Sequence, residues 1–344
     1  MAAQISPPNF TDGRIHMLLL TKDEIKSVFT MNDAIEADKK CYELFSAGKT
    51  EVPLRTNIPT SKGSFLFMPA YAEEMRMAGM KIVNIFPGNP EQGLETTQSQ
   101  VLIMDGDTGV VTALMDGGYV TALRTAAASG AAFDLYGLKN ASVGALIGTG
   151  SQAECQLEAL LCTRDVKEVR VSARNFEKTK KFVEKEQKNL GDRYGAKLIA
   201  CRNGDEAVRG ADLITTVTVS EEPLFKAGNV KPGAVISAVG AYMPNMQEID
   251  PELFKLAGKI YFDSTEAVLA ESGDVIKPLN DGVFAEDIFT GEIGEQIAGK
   301  ISGRESDDEI IIFENVGIGA LDLAAGAEIY NKAKAADAGT RWGE

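Results

Sequence analysis

The stretch from residue 143 to 153 constrains the fold most. Val143-Gly144-Ala145-Leu146-Ile147 is an apolar run of strand length, and Gly148-Thr149-Gly150-Ser151-Gln152-Ala153 leads from it into a helical pattern. In a strand–G-x-G-x-x-A–helix unit the first glycine makes a tight turn. The second lets backbone approach a pyrophosphate, and the small Ala153 permits close helix–strand packing. The helix start offers free N–H groups and the positive end of its dipole to the phosphates. Glycines alone carry little in a chain with 34 of them; the context carries the argument. Strand-like and helical runs keep alternating over 142–147, 152–162, 168–173, 176–190, 196–200, 213–217, 234–239 and 260–263. Such alternation implies βαβ units and a parallel sheet. The reading is a Rossmann-type, doubly wound dinucleotide-binding unit. Gly148, Thr149, Gly150, Ser151 and Gln152 are expected at the phosphates, and Val217, Thr218, Val239 and Gly240 at the ends of later strands.

The second strand of the series decides which dinucleotide is expected. An acidic residue at its end would bond the ribose 2′-hydroxyl of NAD. Here the strand ends Ser172-Ala173-Arg174-Asn175. A carboxylate would repel a 2′-phosphate, whereas Arg174 grips one. NADP(H) is therefore favoured, with NAD(H) possible, and Ser172 and Arg174 join the cofactor set.

The first 115 residues have a different rhythm. A short strand at 17–20 is followed by Thr21-Lys22-Asp23-Glu24, a capping box opening a helix. A second helix begins at about Asn32; Ala34, Ala37, Cys41, Leu44 and Phe45 recur on one face, and Gly48 stops it. Strand-like runs at 65–68, 80–86 and 101–104 follow, and Asp105-Gly106-Asp107-Thr108-Gly109 reads as a hairpin turn into 110–115. This is an α+β unit with antiparallel pairing. From Tyr119 to Tyr136 the chain is Ala-rich and helical, and an Ala-rich helix at 318–334 is the last element. The opening 15 residues read as a loose arm.

Composition excludes several function classes. The chain has 344 residues, 35 Lys+Arg against 50 Asp+Glu, and a net charge of −15. Such an acidic balance argues against nucleic-acid backbones and anionic membrane surfaces. The single histidine, His16, sits in no motif and reads as a surface residue, so histidine-based metal sites and nucleophilic dyads are not expected. Cys41, Cys155, Cys162 and Cys201 form no C-x-x-C and read as small apolar residues in a reducing compartment. No basic segment followed by an apolar one marks a leader, and no apolar run has spanning length, so a cytoplasmic protein is expected.

Several segments, in order from about residue 50 to 320, together resemble the ornithine cyclodeaminase/mu-crystallin family. They are Met80-Lys81-Ile82-Val83-Asn84 with Phe86-Pro87-Gly88-Asn89, Ala122-Leu123-Arg124-Thr125-Ala126-Ala127, and the Gly148–Ala153 turn. Val239-Gly240-Ala241 with Gln247-Glu248-Ile249-Asp250, Glu271-Ser272-Gly273-Asp274, and Phe313-Glu314-Asn315-Val316-Gly317 complete the set. The resemblance implies a dimeric, nicotinamide-dependent enzyme acting on amino acids or their cyclic imines. It implies two domains, 1–125 with 318–344 for substrate binding and dimerisation, and 126–317 for the dinucleotide. Lys81 is then the residue facing the substrate. Arg55 and Arg124 hold its carboxylate, and Arg124 and Thr125 lie beside the cofactor. The side-chain chemistry agrees: two planar guanidinium forks suit an α-carboxylate, and a lysine in a closed site beside them becomes a proton donor.

Two departures select a branch. Ornithine cyclodeaminases carry a glutamate where this chain has Leu66, and an aspartate where it has Tyr242. Without those carboxylates, ring closure of a diamino acid lacks its base. An apolar wall suits a cyclic ketimine carboxylate such as pyrroline- or piperideine-2-carboxylate, with Tyr242 as a substrate contact. The expectation is NADPH-dependent reduction to proline or pipecolate. The alternatives are a cyclodeaminase or alanine-type dehydrogenase, and a non-catalytic nicotinamide-bound carrier.

Overall fold

The computed structural model describes residues 17–343. The loose arm and His16 lie outside the described residues. The strands are β1 (Met17–Leu20), β2 (Thr50–Glu51), β3 (Thr56–Pro59), β4 (Ser64–Ala72), β5 (Met77–Ile85), β6 (Thr97–Asp105), β7 (Val111–Asp116), β8 (Val143–Ile147), β9 (Glu168–Ser172), β10 (Lys197–Ala200), β11 (Leu213–Thr216), β12 (Val235–Ala238), β13 (Ala257–Phe262), β14 (Gly291–Glu292), β15 (Ile310–Glu314) and β16 (Thr340–Trp342).

They form two sheets. The first runs β16-β1-β7-β6-β5-β4-β2, with β3 also on β4. Its centre is the antiparallel meander β4–β7. Its edge departs from the expected all-antiparallel pairing, because β1 lies parallel to β7 and antiparallel to β16. The polar run Thr340–Trp342 carries no apolar alternation from which that closing strand is legible. The second sheet is parallel throughout, in the order β10-β9-β8-β11-β12-β15-β13-β14. The order reverses between β8 and β11, which opens a crevice at the carboxyl ends of those strands. The connection from β11 to β12 is a loop with a single 3-10 turn at Ala227–Asn229 rather than a helix.

Local chemistry explains the helices that frame the first sheet. Thr21 and Glu24 form the expected reciprocal cap of the helix Lys22–Val28, and Thr30 with Asp33 caps Met31–Ser46 in the same way. Each such cap contributes about 1 kcal/mol. The Ala-rich helix Gly117–Tyr136 packs on the helices Met31–Ser46 and Ala153–Thr163, on β6, and on β12 of the second sheet. Small side chains let one helix approach both sheets. The helix Gly319–Ala335 lies across β4, β5 and β6. All four cysteines are free, and three are buried. Among the described residues no helix is long and apolar enough to cross a membrane.

Candidate active site

β5 sets the position of the central lysine. Its first residues alternate strictly, with Met77, Gly79 and Lys81 on the buried face. Lys81 pairs with Met68 on β4 and Val101 on β6, and Leu66 lies opposite Val83, two residues along on the same face. The helix Gly319–Ala335 covers that face and lowers Asp322 onto the lysine. Lys81 Nζ stands 2.8 Å from Asp322 Oδ2, and Arg124 Nε donates to Asp322 Oδ1 at 3.0 Å. All three side chains are almost completely buried. Burial first, and then the Arg124 guanidinium, push Lys81 down to about 7 against the pull of Asp322. Burial opposes the charge of Asp322 too, but the Arg124 and Lys81 cations outweigh it and hold the carboxyl below its usual range.

Arg55 reaches the same place from the segment between β2 and β3. Its Nη2 donates to Glu271 Oε2 at 2.7 Å and to the carbonyls of Val316 and Gly317 at 3.3 and 3.2 Å. Gly317 has φ +81°, and a side chain there would collide with Nη1 of Arg124. The two arginines thus meet at one peptide. Asp263 Oδ2 accepts the Gly317 N–H at 2.7 Å, and burial pushes its carboxyl up to about 7. The predicted trio Arg55, Lys81 and Arg124 is therefore brought together. Tyr242 is half-buried against the core of the parallel sheet, next to the Gly240 turn.

The other predicted residues gather at the carboxyl ends of the parallel strands. Gly148 follows β8 with φ +124°, where a side chain would press on Val217 beyond β11. Gly150 faces open space, with nothing within 4 Å of the point a methyl would occupy. Thr149, Ser151 and Gln152 complete the turn, and the helix Ala153–Thr163 has no side-chain cap. The Ala153 N–H donates to the Gly150 carbonyl at 3.1 Å, and the N–H groups that follow it in the first turn are left for an anion. Ser172, at the end of β9, has a buried hydroxyl with no partner. Arg174 beyond it is exposed and has no ion pair among the described residues. Thr125 is buried, and its carbonyl accepts from Gln156 of the Ala153–Thr163 helix at 3.2 Å. An open glycine turn, uncapped helix N–H groups and an orphan hydroxyl are a donor set that fits a dinucleotide phosphate chain and ribose.

Sequence reasoning missed the acidic groups that hold these parts. The signal that marks Asp322 is its place as the one charged residue in the apolar run from Ile318 to Ala327. Glu248 ties the ends of β11 and β12, accepting the N–H of Thr218 at 2.5 Å and of Gly240 at 2.7 Å. Asp274 in turn accepts the N–H groups of Glu248 and Ile249 at 2.7 and 2.8 Å, and Ser272 donates to Glu314 at 2.7 Å. The motifs at 271–274 and 313–317 are thus a buried acidic frame around the crevice.

Comparison with known proteins agrees with this geometry. The family model described as "Ornithine cyclodeaminase/mu-crystallin family" matches residues 15–337. The chain belongs to the ornithine cyclodeaminase/mu-crystallin family. A Delta(1)-pyrroline-2-carboxylate reductase of Bacillus cereus is 34% identical over 327 residues, 94% of this chain and 99% of the relative. The solved structure of Thermococcus litoralis Delta(1)-pyrroline-2-carboxylate reductase, in complex with NADH and L-proline, superposes with a TM-score of 0.88 at 34% identity, covering 94% of this chain and 99% of that one. An archaeal alanine dehydrogenase dimer with bound NAD gives 0.87 at 36% identity, covering 95% and 99%. Membership of the ornithine cyclodeaminase/mu-crystallin family accounts for the pairing of a parallel, dinucleotide-type sheet with a mixed sheet that carries the lysine.

Proposed function

We propose that this nicotinamide-dependent oxidoreductase reduces a cyclic ketimine carboxylate, with pyrroline-2-carboxylate to proline as the leading case and piperideine-2-carboxylate to pipecolate as the next. The observation that carries the reading is the convergence of Arg55, Lys81 and Arg124 in one cluster, with Thr125, next to Arg124, bonded to the helix that follows the glycine turn. Two guanidinium groups meeting at Gly317 suit one carboxylate, and a lysine near neutrality is a suitable donor to an imine nitrogen. Dinucleotide bound along Gly148–Gln152, Ser172, Arg174, Val217–Thr218 and Val239–Gly240 supplies the hydride. The chain's own groups orient the imine carbon, exclude water and hold the proton at Lys81 Nζ.

Leu66 supports imine over diamino-acid substrates, because it presents an apolar side chain on the lysine face. Tyr242 closes the other side in the same reading. The 2′-phosphate of NADP(H) is assigned to Arg174, where no carboxylate stands in its way; the two solved relatives carry NADH and NAD. The two-domain division, 1–125 with 318–344 and 126–317, draws on the two sheets, with the helix Gly117–Tyr136 running unbroken through residue 125 and serving both. A homodimer draws on the paired, half-exposed Ile58 and Phe65 on β3 and β4.

The test is oxidation of NADPH and NADH with pyrroline-2-carboxylate, piperideine-2-carboxylate, and pyruvate with ammonia or methylamine. Turnover of the cyclic imines supports the proposal. Preference for pyruvate with ammonia would make the chain an alanine-type dehydrogenase. Proline and ammonia from ornithine with NAD would make it a cyclodeaminase, and no turnover at all would leave a carrier.

A further inference from the structure

Building on the reading of a carboxylate substrate, we propose that Asp322 is the positioning residue of this site: it holds Lys81 and Arg124 with its two oxygens, one carboxylate to two basic groups, and the substrate carboxylate supplies the second negative charge that lets Lys81 take up a proton from solvent.

The charge count carries the argument. Lys81 is faced by Arg124 from the helix Gly117–Tyr136, by Asp322 from the helix Gly319–Ala335, and by Arg55 from the segment after β2. Arg55 is already balanced by Glu271 at 2.7 Å. Behind Arg124 and Asp322 stands Asp38 of the helix Met31–Ser46, with Cys41 and Tyr42 beside it. Asp38 is fully buried with neither oxygen partnered, and burial holds its carboxyl well above the usual range. Its oxygens bond to neither Lys81 nor Arg124. Asp263 has given its oxygens to the N–H groups of Ser264 and Gly317 and is bonded to neither basic group. With Lys81 protonated, Asp322 alone is bonded to two buried cations. An arriving carboxylate makes the count even and raises the proton affinity of Lys81, because an opposite charge nearby favours the charged form.

Calorimetric titration with pyrrole-2-carboxylate, a planar carboxylate that accepts no hydride, reads the proton directly. Titrations at pH 8 in two buffers of different ionisation heat are expected to show net proton uptake on binding to the holoenzyme. Uptake is expected to vanish in Lys81→Met. In Asp322→Asn its midpoint is expected to move down by about one to three pH units, with the dissociation constant for cofactor unchanged within about twofold. Binding without uptake in the wild type, or an Asp322→Asn profile that superimposes on it, would overturn the inference. If Asp322→Asn fails to fold, Asp322→Glu carries the test: it should keep the uptake but lose at least about tenfold in kcat, and unchanged kcat and KM would overturn the positioning role. Uptake needs no turnover, so an inactive wild type that still takes up the proton would sink only the proposed reaction.

Discussion

A side chain at Gly317 would strike the guanidinium of Arg124, and the Gly317 carbonyl holds Arg55. A methyl there meets Nη1 and comes within 3.2 Å of Cζ, on a backbone with φ +81°. Gly317→Ala is therefore expected to move Arg124 and raise KM for the carboxylate substrate by about tenfold or more. KM for the dinucleotide should stay within about twofold. Steady-state kinetics with each substrate varied in turn checks this.

Lys81 gives a pH signature. With its ammonium held down to about 7 by burial and Arg124, the acid form is lost as pH rises through that value in the free enzyme. Imine reduction, read as kcat/KM, should fall above about pH 7, and amine oxidation should rise over the same range. Lys81→Met is expected to lower kcat by about 10²- to 10⁴-fold while cofactor binding, read by nicotinamide fluorescence, persists.

Two neighbouring glycines should behave differently. At Gly148 a side chain runs into Val217 on a backbone with φ +124°, whereas at Gly150 it meets nothing of the protein. Gly148→Ala is expected to lower Tm by several degrees. Gly150→Ala should melt like the wild type and yet bind dinucleotide at least about tenfold more weakly. Equal dinucleotide affinity in Gly150→Ala would place the phosphates elsewhere.

Substitution of Arg174 tests the choice of cofactor. It is exposed and uncommitted at the end of β9. Arg174→Ala is expected to raise KM for NADPH by about tenfold and leave NADH within about twofold. A parallel loss for both, or for neither, would remove the 2′-phosphate from this position.

The acidic frame predicts a stability profile. Burial first, and then Glu248, push Asp274 up to about 8. A carboxyl whose folded pKa lies above its unfolded one binds more protons folded, so its contribution is present at low pH and is lost as pH rises through the folded value. Asp274→Asn removes that titration and can still accept the Glu248 and Ile249 N–H groups through its amide oxygen. Between about pH 4 and 8 its stability should decline less steeply with rising pH than that of the wild type, read as Tm by circular dichroism.

The reach of the sequence differed between the two sheets. The parallel sheet was legible because Val143–Ile147, the glycine turn and the later apolar runs follow one local grammar. The capping boxes at Thr21 and Thr30 were likewise local, although only the first was recognised. Lys81, Arg55 and Arg124 were found by motif, not by periodicity, because a buried lysine on a strand looks like any other lysine. The edge strand Thr340–Trp342 was missed, since its pairing with β1 depends on the chain returning from the far end of the fold. Asp322 escaped because its partners are contributed by β5 and by a helix about two hundred residues away in sequence.

By itself the sequence determined what neighbouring residues decide among themselves: the glycine turn between strand and helix, the helix caps, the strand alternation and the acidic net charge. Only the tertiary structure decided which charges face each other. Net charge is a sum over the whole surface, whereas the field at Lys81 is set by the few groups that folding buries beside it, where low dielectric makes each count. A chain of net charge −15 thus buries a lysine and an arginine against a single carboxylate, Asp322.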